Sequence, residues 1–341
     1  MPRFHLPLLA FSFLALCIPC GCGMTSFLIT PVENSSELKE EVVAAASGFW
    51  EGKIAIIPIE GALSNSKGGG LIGTPTENAM SLFTQQLERA AADASVKAIV
   101  LRVNSPGGTV SSADAMYNML CRFRKKTGKP IVSSMQEVGA SGAYYLSCAA
   151  DKIVAQPTSL VGSIGVIFES MEFSGTLDKI GARSWAITSG PLKEMGSPFK
   201  PLEPREQVVM QEMVEEYFER FVGIVATNRP IVEERRADVR DYKKPDYAGI
   251  FSGRIFSGLE GKKLGLVDQL GLLSDAIDLA KNLGKAPGAE VIIYRRPYGY
   301  SGSIYASSSL TPPKSSGATF DLPGVQSFVP AGFYYMWRPG I

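Results

Sequence analysis

Histidine is almost absent from this chain: its 341 residues include one, His5. His5 lies in an apolar segment at the N-terminus, so the rest of the chain has no imidazole. This absence excludes a Ser-His-Asp triad, a Cys-His pair and nearly every catalytic zinc site from residues 6–341. Any acid–base chemistry there must use lysine, tyrosine or a carboxylate.

An excess of charge of either sign is also lacking. The chain has 34 Lys and Arg residues against 33 Asp and Glu residues, a formal net charge of +1. No basic stripe alternates with aromatic residues, so the sequence predicts no nucleic-acid partner. Hydrophobic residues make up 45% of the chain, which suits a globular protein with a substantial core.

Long apolar runs are missing, apart from a short one at the N-terminus. Arg3 precedes an apolar run over 6–19, and the small residues Gly21 and Gly23 follow. The run is shorter than the roughly 20 apolar residues of a permanent membrane span, and the order is typical of an export signal. A buried N-terminal helix is the alternative, but polar sequence follows at once. We therefore predict a signal peptide over 1–22 and a mature chain in the periplasm or at the extracytoplasmic face of a membrane.

Cysteine is scarce, and three of the five cysteines crowd this signal: Cys17, Cys20 and Cys22. The sequence Pro-Cys-Gly-Cys over 19–22 resembles the lipobox of bacterial lipoproteins, with proline where an aliphatic residue is usual. Cys22 is therefore a lipidation candidate, which would associate the protein with a membrane.

The other two cysteines, Cys121 and Cys148, fall on apolar positions of predicted helices. We expect both in the core rather than in a disulfide or a metal site. The sequence predicts no metal and no organic cofactor.

Hydrophobic periodicity divides the remainder into a tether over 23–51, a globular domain over 52–286 and a tail over 287–341. Apolar strands are predicted at 53–59, 96–103, 130–135, 152–155, 163–168 and 184–188. Amphipathic helices are predicted after a cap at Thr76, from about 110 to Gly128, over 139–150 and over 205–226. Strands that alternate with helices predict an α/β fold with largely parallel strands.

The last part of the chain has a different composition. Residues 297–341 are rich in Gly, Pro, Ser and Tyr and show no sustained period. This composition predicts an extended or disordered tail. Its stretch 328–337 is aromatic enough that we expect it to dock on the protein.

Two short segments could carry chemistry. In Gly-Ala-Ser-Gly-Ala over 139–143, Ser141 follows a strand and begins a helix, which leaves it open to substrate, although capping a helix is the commoner role. Ala143 and the missing histidine distinguish the segment from a Gly-x-Ser-x-Gly elbow. In Ser-Pro-Gly-Gly-Thr over 105–109, the N–H groups of Gly108 and its neighbour could form an oxyanion hole, and a tight turn is equally compatible.

Lys193 is the third candidate, in Gly-Pro-Leu-Lys-Glu-Met-Gly-Ser-Pro over 190–198. A single lysine is ordinarily a solvated surface charge. It becomes a candidate base because a serine enzyme without histidine needs another one, and a desolvated lysine shifted below its usual pKa of about 10.4 can serve.

Five motifs in this order resemble the signal peptide peptidase A family in its short form. They are Ser-Pro-Gly-Gly (105–108), Ala-Ser-Gly-Ala-Tyr-Tyr (140–145), Gly-Ser-Ile-Gly-Val (162–166), the Lys193 segment (190–198) and Gly-Leu-Val-Asp (265–268). The similarity runs from about 52 to 285. It implies an α/β fold, the ClpP/crotonase-like superhelix of repeated ββα units.

The resemblance also implies residue roles. The motif serine, Ser141, is the nucleophile of a Ser–Lys dyad, and the motif lysine, Lys193, is its general base. Ser163 is expected to hydrogen-bond the lysine. Gly108 matches the oxyanion donor, and the amide of Gly142 is a second candidate.

Assembly and substrates follow from the same resemblance. Short members have one catalytic core per subunit and form a ring, here expected to be a homo-octamer, in which serine and lysine come from neighbouring subunits. A C-terminal tail can lie in the substrate groove of such enzymes. The expected substrates are cleaved signal peptides and other membrane-associated peptides, cut in extended form at small or apolar residues.

Two alternatives stay open at this point. A non-catalytic scaffold could keep the fold without an aligned dyad. An acyl-CoA enzyme of the crotonase type would share the backbone oxyanion hole, but such enzymes work where CoA is found, and this chain carries an export signal.

Overall fold

The computed structural model describes residues 38–48, 51–65, 78–229, 249–296 and 332–337. The strands are β1 (Lys39–Ala44), β2 (Lys53–Glu60), β3 (Val96–Ser105), β4 (Gly107–Thr109), β5 (Ile131–Ala140), β6 (Lys152–Ala155), β7 (Leu160–Gly162), β8 (Ile167–Glu169), β9 (Ile255–Ser257), β10 (Gln269–Leu270), β11 (Glu290–Arg295) and β12 (Gly332–Met336). The helices are α1 (Ala79–Ala92), α2 (Val110–Thr127), α3 (Gly142–Ser147), α4 (Ser174–Lys179), α5 (Pro204–Asn228), α6 (Gly258–Lys263) and α7 (Leu273–Leu283).

A central sheet has the strand order β1-β11-β2-β3-β5-β6-β10, and β7 extends it from the far end of β5. The pairs from β11 through β2, β3, β5 and β6 to β10 are parallel. Helices α1 and α2 connect successive parallel strands of this sheet. The predicted α/β fold with largely parallel strands is therefore confirmed.

The core lies on both faces of the central sheet. Along β2, Ala55 and Ile57 contribute to one apolar cluster while Ile54 and Ile56 contribute to the other. Helix α7 covers the second cluster. Because both faces are buried, the strand reads as a nearly continuous apolar run, which is typical of parallel sheets and explains why the sequence marks it clearly.

Capping residues fix where the helices begin and end. Asn78 Oδ1 accepts hydrogen bonds from the N–H groups of Met80 and Ser81, so α1 is capped by Asn78; the predicted cap, Thr76, lies outside the described residues. Helix α2 ends at Gly128, whose φ of 68° lies in the left-handed region that glycine adopts without strain.

The predicted domain limits differ from the folded unit. Strand β1 falls in the segment expected to be a tether, and β11 falls in the expected tail, yet they pair with each other and β11 pairs with β2. The acidic residues that suggested a tether have basic partners: Glu40 lies 2.6 Å from Lys53 and Glu41 lies 3.8 Å from Arg295. Because β1 and β11 are far apart in the sequence, neither segment by itself indicates that the two strands pair.

The strand predicted at 184–188 is not formed. This segment has no regular secondary structure, and Trp185 and Ile187 are 79% and 91% exposed. Alternating apolar residues form a strand only when another strand pairs with them and a core covers them, and the described chain supplies neither here.

Within the described part of the chain, no helix has the length and apolarity to cross a membrane. The predicted signal over 1–22 and the lipidation candidate Cys22 lie outside the described residues.

Candidate active site

Ser141 lies where β5 ends and α3 begins. Its φ of 55° and ψ of −118° are unusual for a residue other than glycine, and it is 1% exposed. Its N–H donates to the carbonyl of Gly162 at 2.7 Å, and its carbonyl accepts from Tyr145 N–H at 2.8 Å. Its side chain makes no capping hydrogen bond to α3, so the commoner role of such a serine is not the one it has here. A residue other than glycine keeps a positive φ only where the surrounding structure stabilises it, and such residues are found mainly at functional sites.

Ser163 lies beside Ser141 across the sheet. The parallel pair of β5 with β7 sets Ala140 opposite Gly162, so the two serines follow paired residues. Ser163 also has a positive φ, 50°, and is 7% exposed. Its N–H donates to Arg254 carbonyl at 2.8 Å, which fixes its backbone.

The two glycines of β4 form the side of the candidate site next to Ser141. A Cβ added to Gly108 would lie 1.9 Å from the carbonyl oxygen of Leu63, so only glycine fits. Gly107 has a φ of 101°, and a Cβ there would lie 2.7 Å from the amide nitrogen of Gly142. A Cβ on Gly142 would in turn lie 3.2 Å from the amide nitrogen of Gly108. The two amides predicted to be oxyanion donors therefore lie close together.

Strand β12, from near the C-terminal end of the chain, lies along β4 on this side of the site. It pairs antiparallel with β4 on one side and with β8 on the other. Tyr335 is opposite Gly108, and Trp337 N–H donates to Pro106 carbonyl at 2.8 Å. The expectation that the aromatic stretch 328–337 docks on the protein is confirmed for its described part, 332–337.

The side chain of Tyr335 is completely buried in an aromatic pocket. Its ring stacks on Tyr145 at a centroid distance of 5.0 Å and lies 4.8 Å from Phe221. Its hydroxyl donates to Tyr217 carbonyl at 2.7 Å. Burial raises the pKa of Tyr335 well above its usual value, so this phenol stays protonated.

Polar side chains hold the hydroxyl group of Tyr145 in place. The hydroxyl of Tyr145 donates to Asp114, which also accepts two hydrogen bonds from Arg220. Burial, and then the hydrogen bond to Asp114, raise the pKa of Tyr145. Sequence reasoning missed this pocket, although the Tyr-Tyr pair that ends the Ser141 motif was a signal for it.

Lys193 lies in a turn and is exposed. Its N–H donates to Gly190 carbonyl at 3.1 Å, and its ammonium makes no hydrogen bond or ion pair with any described residue. The chain therefore brings together Ser141, Ser163, Gly108 and Gly142, and it does not bond Lys193 to them.

The segment that carries Lys193 is unusually apolar for a surface. Between β8 and α5, many large apolar side chains are at least one-third exposed: Met171, Phe173, Ile180, Trp185, Ile187, Leu192, Phe199 and Leu202. We call residues 170–203 the exposed arm. Large apolar side chains exposed in such number within one segment are typical of an interaction surface.

The fifth motif residue, Asp268, has a structural position. Its carboxylate accepts from Arg229 Nη1 at 2.7 Å and from Ile153 N–H at 2.8 Å. Burial is the largest single influence on the pKa of Asp268 and raises it, but the hydrogen bond and charge of Arg229, the Ile153 N–H and the charge of Lys152 together outweigh burial and lower this pKa. Asp268 thus joins the end of α5 to β6.

Cys148 is buried in the core, as expected, and Cys121 is half-buried against it; both are free thiols. Burial raises the pKa of Cys148 to about 12, so it is an inert core residue. Among the residues that the structure describes, no cluster of His, Cys, Asp and Glu could hold a metal.

Two family profiles match the chain. The profile of Peptidase family S49 matches residues 123–287, and that of Clp protease matches residues 63–160. The second range holds β3, β4, β5 and the helix between them, and with the observed sheet it confirms the ClpP/crotonase-like fold.

Individual proteins are similar over most of the chain. A protein named as a signal peptide peptidase SppA, from Enterococcus faecium, is 33% identical over 262 residues, which are 77% of this chain and 72% of that protein. Protease 4 of Salmonella typhi is 36% identical over 234 residues, 69% of this chain and 35% of its own length. The chloroplastic serine protease SPPA of Arabidopsis thaliana is 30% identical over 237 residues, 69% of this chain and 33% of its own. The matched region is thus about a third of these two longer relatives.

Proposed function

Because the chain belongs to the signal peptide peptidase A group of peptidase family S49, we propose that it is a serine endopeptidase with Ser141 as nucleophile and Lys193 as general base. The observation that carries the proposal is the setting of Ser141. It is a buried serine with a left-handed backbone whose side chain does not cap its helix, next to the amides of Gly108 and Gly142. A scaffold would have no need for that arrangement.

The proposed reaction is acyl transfer to serine. Neutral Lys193 takes the Ser141 Oγ proton as Oγ attacks a peptide carbonyl, and the amides of Gly108 and Gly142 stabilise the oxyanion. The lysine then gives the proton to the leaving amine, and an acyl-enzyme forms. A water molecule, activated by the same lysine, releases the acyl group. Ser163, adjacent to the nucleophile, would orient the lysine by a hydrogen bond.

We propose that Lys193 comes from a neighbouring subunit of a homo-oligomeric ring, an octamer by resemblance. The exposed arm supports this, because it presents Lys193 among apolar side chains that a second subunit would cover. A head-to-tail contact repeated around a rotation axis closes into a ring.

The proposed substrates are cleaved signal peptides and other membrane-associated peptides outside the cytoplasm. Antiparallel pairing along β4 suits a peptide bound in extended form. Export by residues 1–22 and lipidation of Cys22 would put the enzyme where such peptides accumulate. The mass of the mature N-terminus tests this: an unmodified terminus beyond residue 22 would contradict the anchor.

The test of the dyad compares two single variants with their double variant. Ser141→Ala and Lys193→Ala should each reduce peptide hydrolysis to near background, and the double variant should be little worse, because the two groups act as one unit. A fluorophosphonate should label the wild-type protein at Ser141. The matched controls are Ser111→Ala and Lys125→Ala, which remove an exposed serine and an exposed lysine outside the exposed arm.

Retention of most activity by Lys193→Ala would exclude it as the base. A wild-type protein that neither cleaves peptides nor is labelled at Ser141 would favour the scaffold.

A further inference from the structure

We infer that Ser105 is a positioning residue of the proposed peptidase: its hydroxyl holds the turn after β3 so that the N–H of Gly108 faces the carbonyl that Ser141 attacks. The inference rests on the proposed function and gives a role to a motif residue that had none. Ser105 is fully buried, so it acts through the backbone of the turn and does not touch the substrate.

The hydroxyl of Ser105 joins two segments of backbone. Its Oγ donates to Gly61 carbonyl at 2.6 Å and accepts from Gly107 N–H at 3.2 Å. A hydroxyl has one hydrogen to donate, so the bond to Gly61 uses it, and an oxygen lone pair receives the amide. Ser105 therefore ties the first glycine of β4 to the segment 61–63, which follows β2.

The hydrogen bonds of this turn leave one amide for an oxyanion. The N–H of Gly107 donates to Ser105, and the N–H of Thr109 donates to Leu63 carbonyl at 2.9 Å. Each backbone amide has a single hydrogen, so both are engaged in holding the turn. Gly108, between them, is on the side of β4 where β12 pairs. The sequence proposed Gly108 together with a neighbour, and these contacts exclude both of its neighbours within the turn.

The direction of the Gly108 amide follows from the peptide plane that it shares with Gly107. The carbonyl of Gly107 accepts from Leu63 N–H at 2.8 Å. In a trans peptide the carbonyl and the following N–H point in opposite directions, so the N–H of Gly108 points away from Leu63. Gly142 lies close to this amide, since a Cβ on Gly142 would come within 3.2 Å of the Gly108 nitrogen.

The turn needs this support because glycine restricts its own backbone so little. Gly107 has a φ of 101°, and nothing but its hydrogen bonds and neighbours selects that conformation. Without the Ser105 hydroxyl, the buried N–H of Gly107 loses its acceptor, and the turn gains by rotating to find another. A donor of an oxyanion hole works through its preset direction, so such a rotation slows the reaction more than it weakens substrate binding.

The experiment compares Ser105→Ala with the wild-type protein at full length on one fluorogenic peptide. We expect kcat to fall by about 30-fold, less than the loss of a donor itself, and KM to change by less than about twofold. Ser105→Cys keeps a weak acceptor at the same place, so its kcat should lie between the two, about threefold below wild type.

Ser133→Ala is the matched control. Ser133 is also fully buried, and its Oγ donates to Ser147 Oγ at 3.0 Å. It lies eight residues before Ser141 on β5, about 26 Å along the strand. We expect Ser133→Ala to lower the Tm as Ser105→Ala does, because each removes a buried hydrogen bond, and to leave kcat unchanged.

A transition-state analogue separates positioning from a general loss of structure. When a peptide boronate binds, Ser141 Oγ bonds to boron and its proton passes to Lys193, which gives a tetrahedral adduct that uses the oxyanion hole. The same peptide as an amide reports ground-state binding. Ser105→Ala should weaken boronate inhibition by about the factor that it takes from kcat/KM, about 30-fold, and leave binding of the amide unchanged. Equal losses for boronate and amide would mean that Ser105 is only structural and would overturn the inference.

Failure of the inference differs from failure of the proposed function. A wild-type protein that neither cleaves the peptide nor is inhibited by the boronate overturns both. Hydrolysis by the wild type, with an unchanged kcat in folded Ser105→Ala, overturns the inference alone. If Ser105→Ala does not fold, Ser105→Cys decides: a lowered kcat with an unchanged KM supports positioning, and a wild-type kcat refutes it.

Discussion

Two serines hold the backbone of the site in a conformation that ordinarily belongs to glycine. Ser141 and Ser163 have φ values of 55° and 50° and follow residues paired across β5 and β7. Left-handed backbone at such residues costs about 1–3 kcal/mol each and is retained where the surroundings impose it. The sheet imposes it here, through the bonds from Ser141 N–H to Gly162 and from Ser163 N–H to Arg254.

At this scale the substitution Lys193→Arg separates charge from basicity. Arginine keeps the positive charge and cannot give up its proton at accessible pH, so it cannot take one from Ser141. We expect hydrolysis by Lys193→Arg to fall to the level of Lys193→Ala. Wild-type kcat/KM should rise with pH, because only the neutral form of a lysine can accept a proton. Substantial activity in Lys193→Arg, or an optimum in acid, would indicate a carboxylate base.

At the scale of elements, Asp268 is the best example of a motif residue with a structural position. It accepts hydrogen bonds from Arg229, at the end of α5, and from the backbone of β6, and Lys152 lies 3.8 Å away. The motif resemblance pointed to this aspartate without a role. The contacts give it one, since they attach α5 to the sheet edge.

Asp268→Asn should therefore lower the free energy of unfolding by about 2 kcal/mol at neutral pH, because it leaves Arg229 buried beside a neutral group. The pKa of Asp268 is lowered in the folded protein, so its contribution is present above the unfolded value of about 3.9 and is lost as pH falls through the folded value. The difference between wild type and variant should shrink below about pH 4. Denaturant titrations at several pH values measure it.

The exposed Asp278→Asn is the control and should change the unfolding free energy by less than about 0.5 kcal/mol. A difference for Asp268→Asn that grew in acid would contradict the assignment of a lowered pKa.

Elements built from local pattern could be predicted, and elements built from distant pairing could not. Strand β2 and helix α5 were expected within a few residues of their limits, because continuous burial and amphipathic spacing are properties of the segment itself. Strands β1 and β12 are short and pair with partners that lie far away in sequence, β11 and β4. The composition of β1 is acidic and that of β12 is aromatic. Neither composition indicates which residues of the partner strand these strands pair with.

The same limit applied to the site. Ser141 and Gly108 became candidates because each follows a predicted strand, and the family resemblance, not the local pattern, implied their roles. The aromatic pocket was not predicted, since Tyr145, Phe221 and Tyr335 come from three elements that meet only in the fold.

At the scale of the whole molecule, the exposed arm is the feature that a single subunit does not explain. Trp185 and Ile187 are more exposed than any other large apolar side chain that the structure describes. In the proposed ring, a second subunit would pair with and cover the segment 184–188, and Lys193 lies five residues further on.

If serine and lysine come from different subunits, two inactive variants should complement each other. Ser141→Ala subunits offer an intact Lys193, and Lys193→Ala subunits offer an intact Ser141. Random co-assembly in equal amounts leaves about a quarter of interfaces with both groups intact. Co-expression should thus recover about a quarter of wild-type activity, measured by peptide hydrolysis of the purified assemblies.

Mixing the two variants after assembly should recover little unless subunits exchange. No recovery on co-expression, with both variants folded and assembled, would mean that the dyad forms within one subunit, and the Ser–Lys chemistry would be unaffected by that result.

If β4 borders the substrate groove of the proposed peptidase, β12 competes there with substrates of the same chain. Because it is covalently part of the chain, its effective concentration at the groove does not fall when the protein is diluted, unlike that of a separate inhibitor. The apparent KM for any substrate is then raised by a fixed factor, the equilibrium constant for docking of the strand plus one. A peptide that binds this groove less tightly than β12 would then be cut mainly when it is abundant.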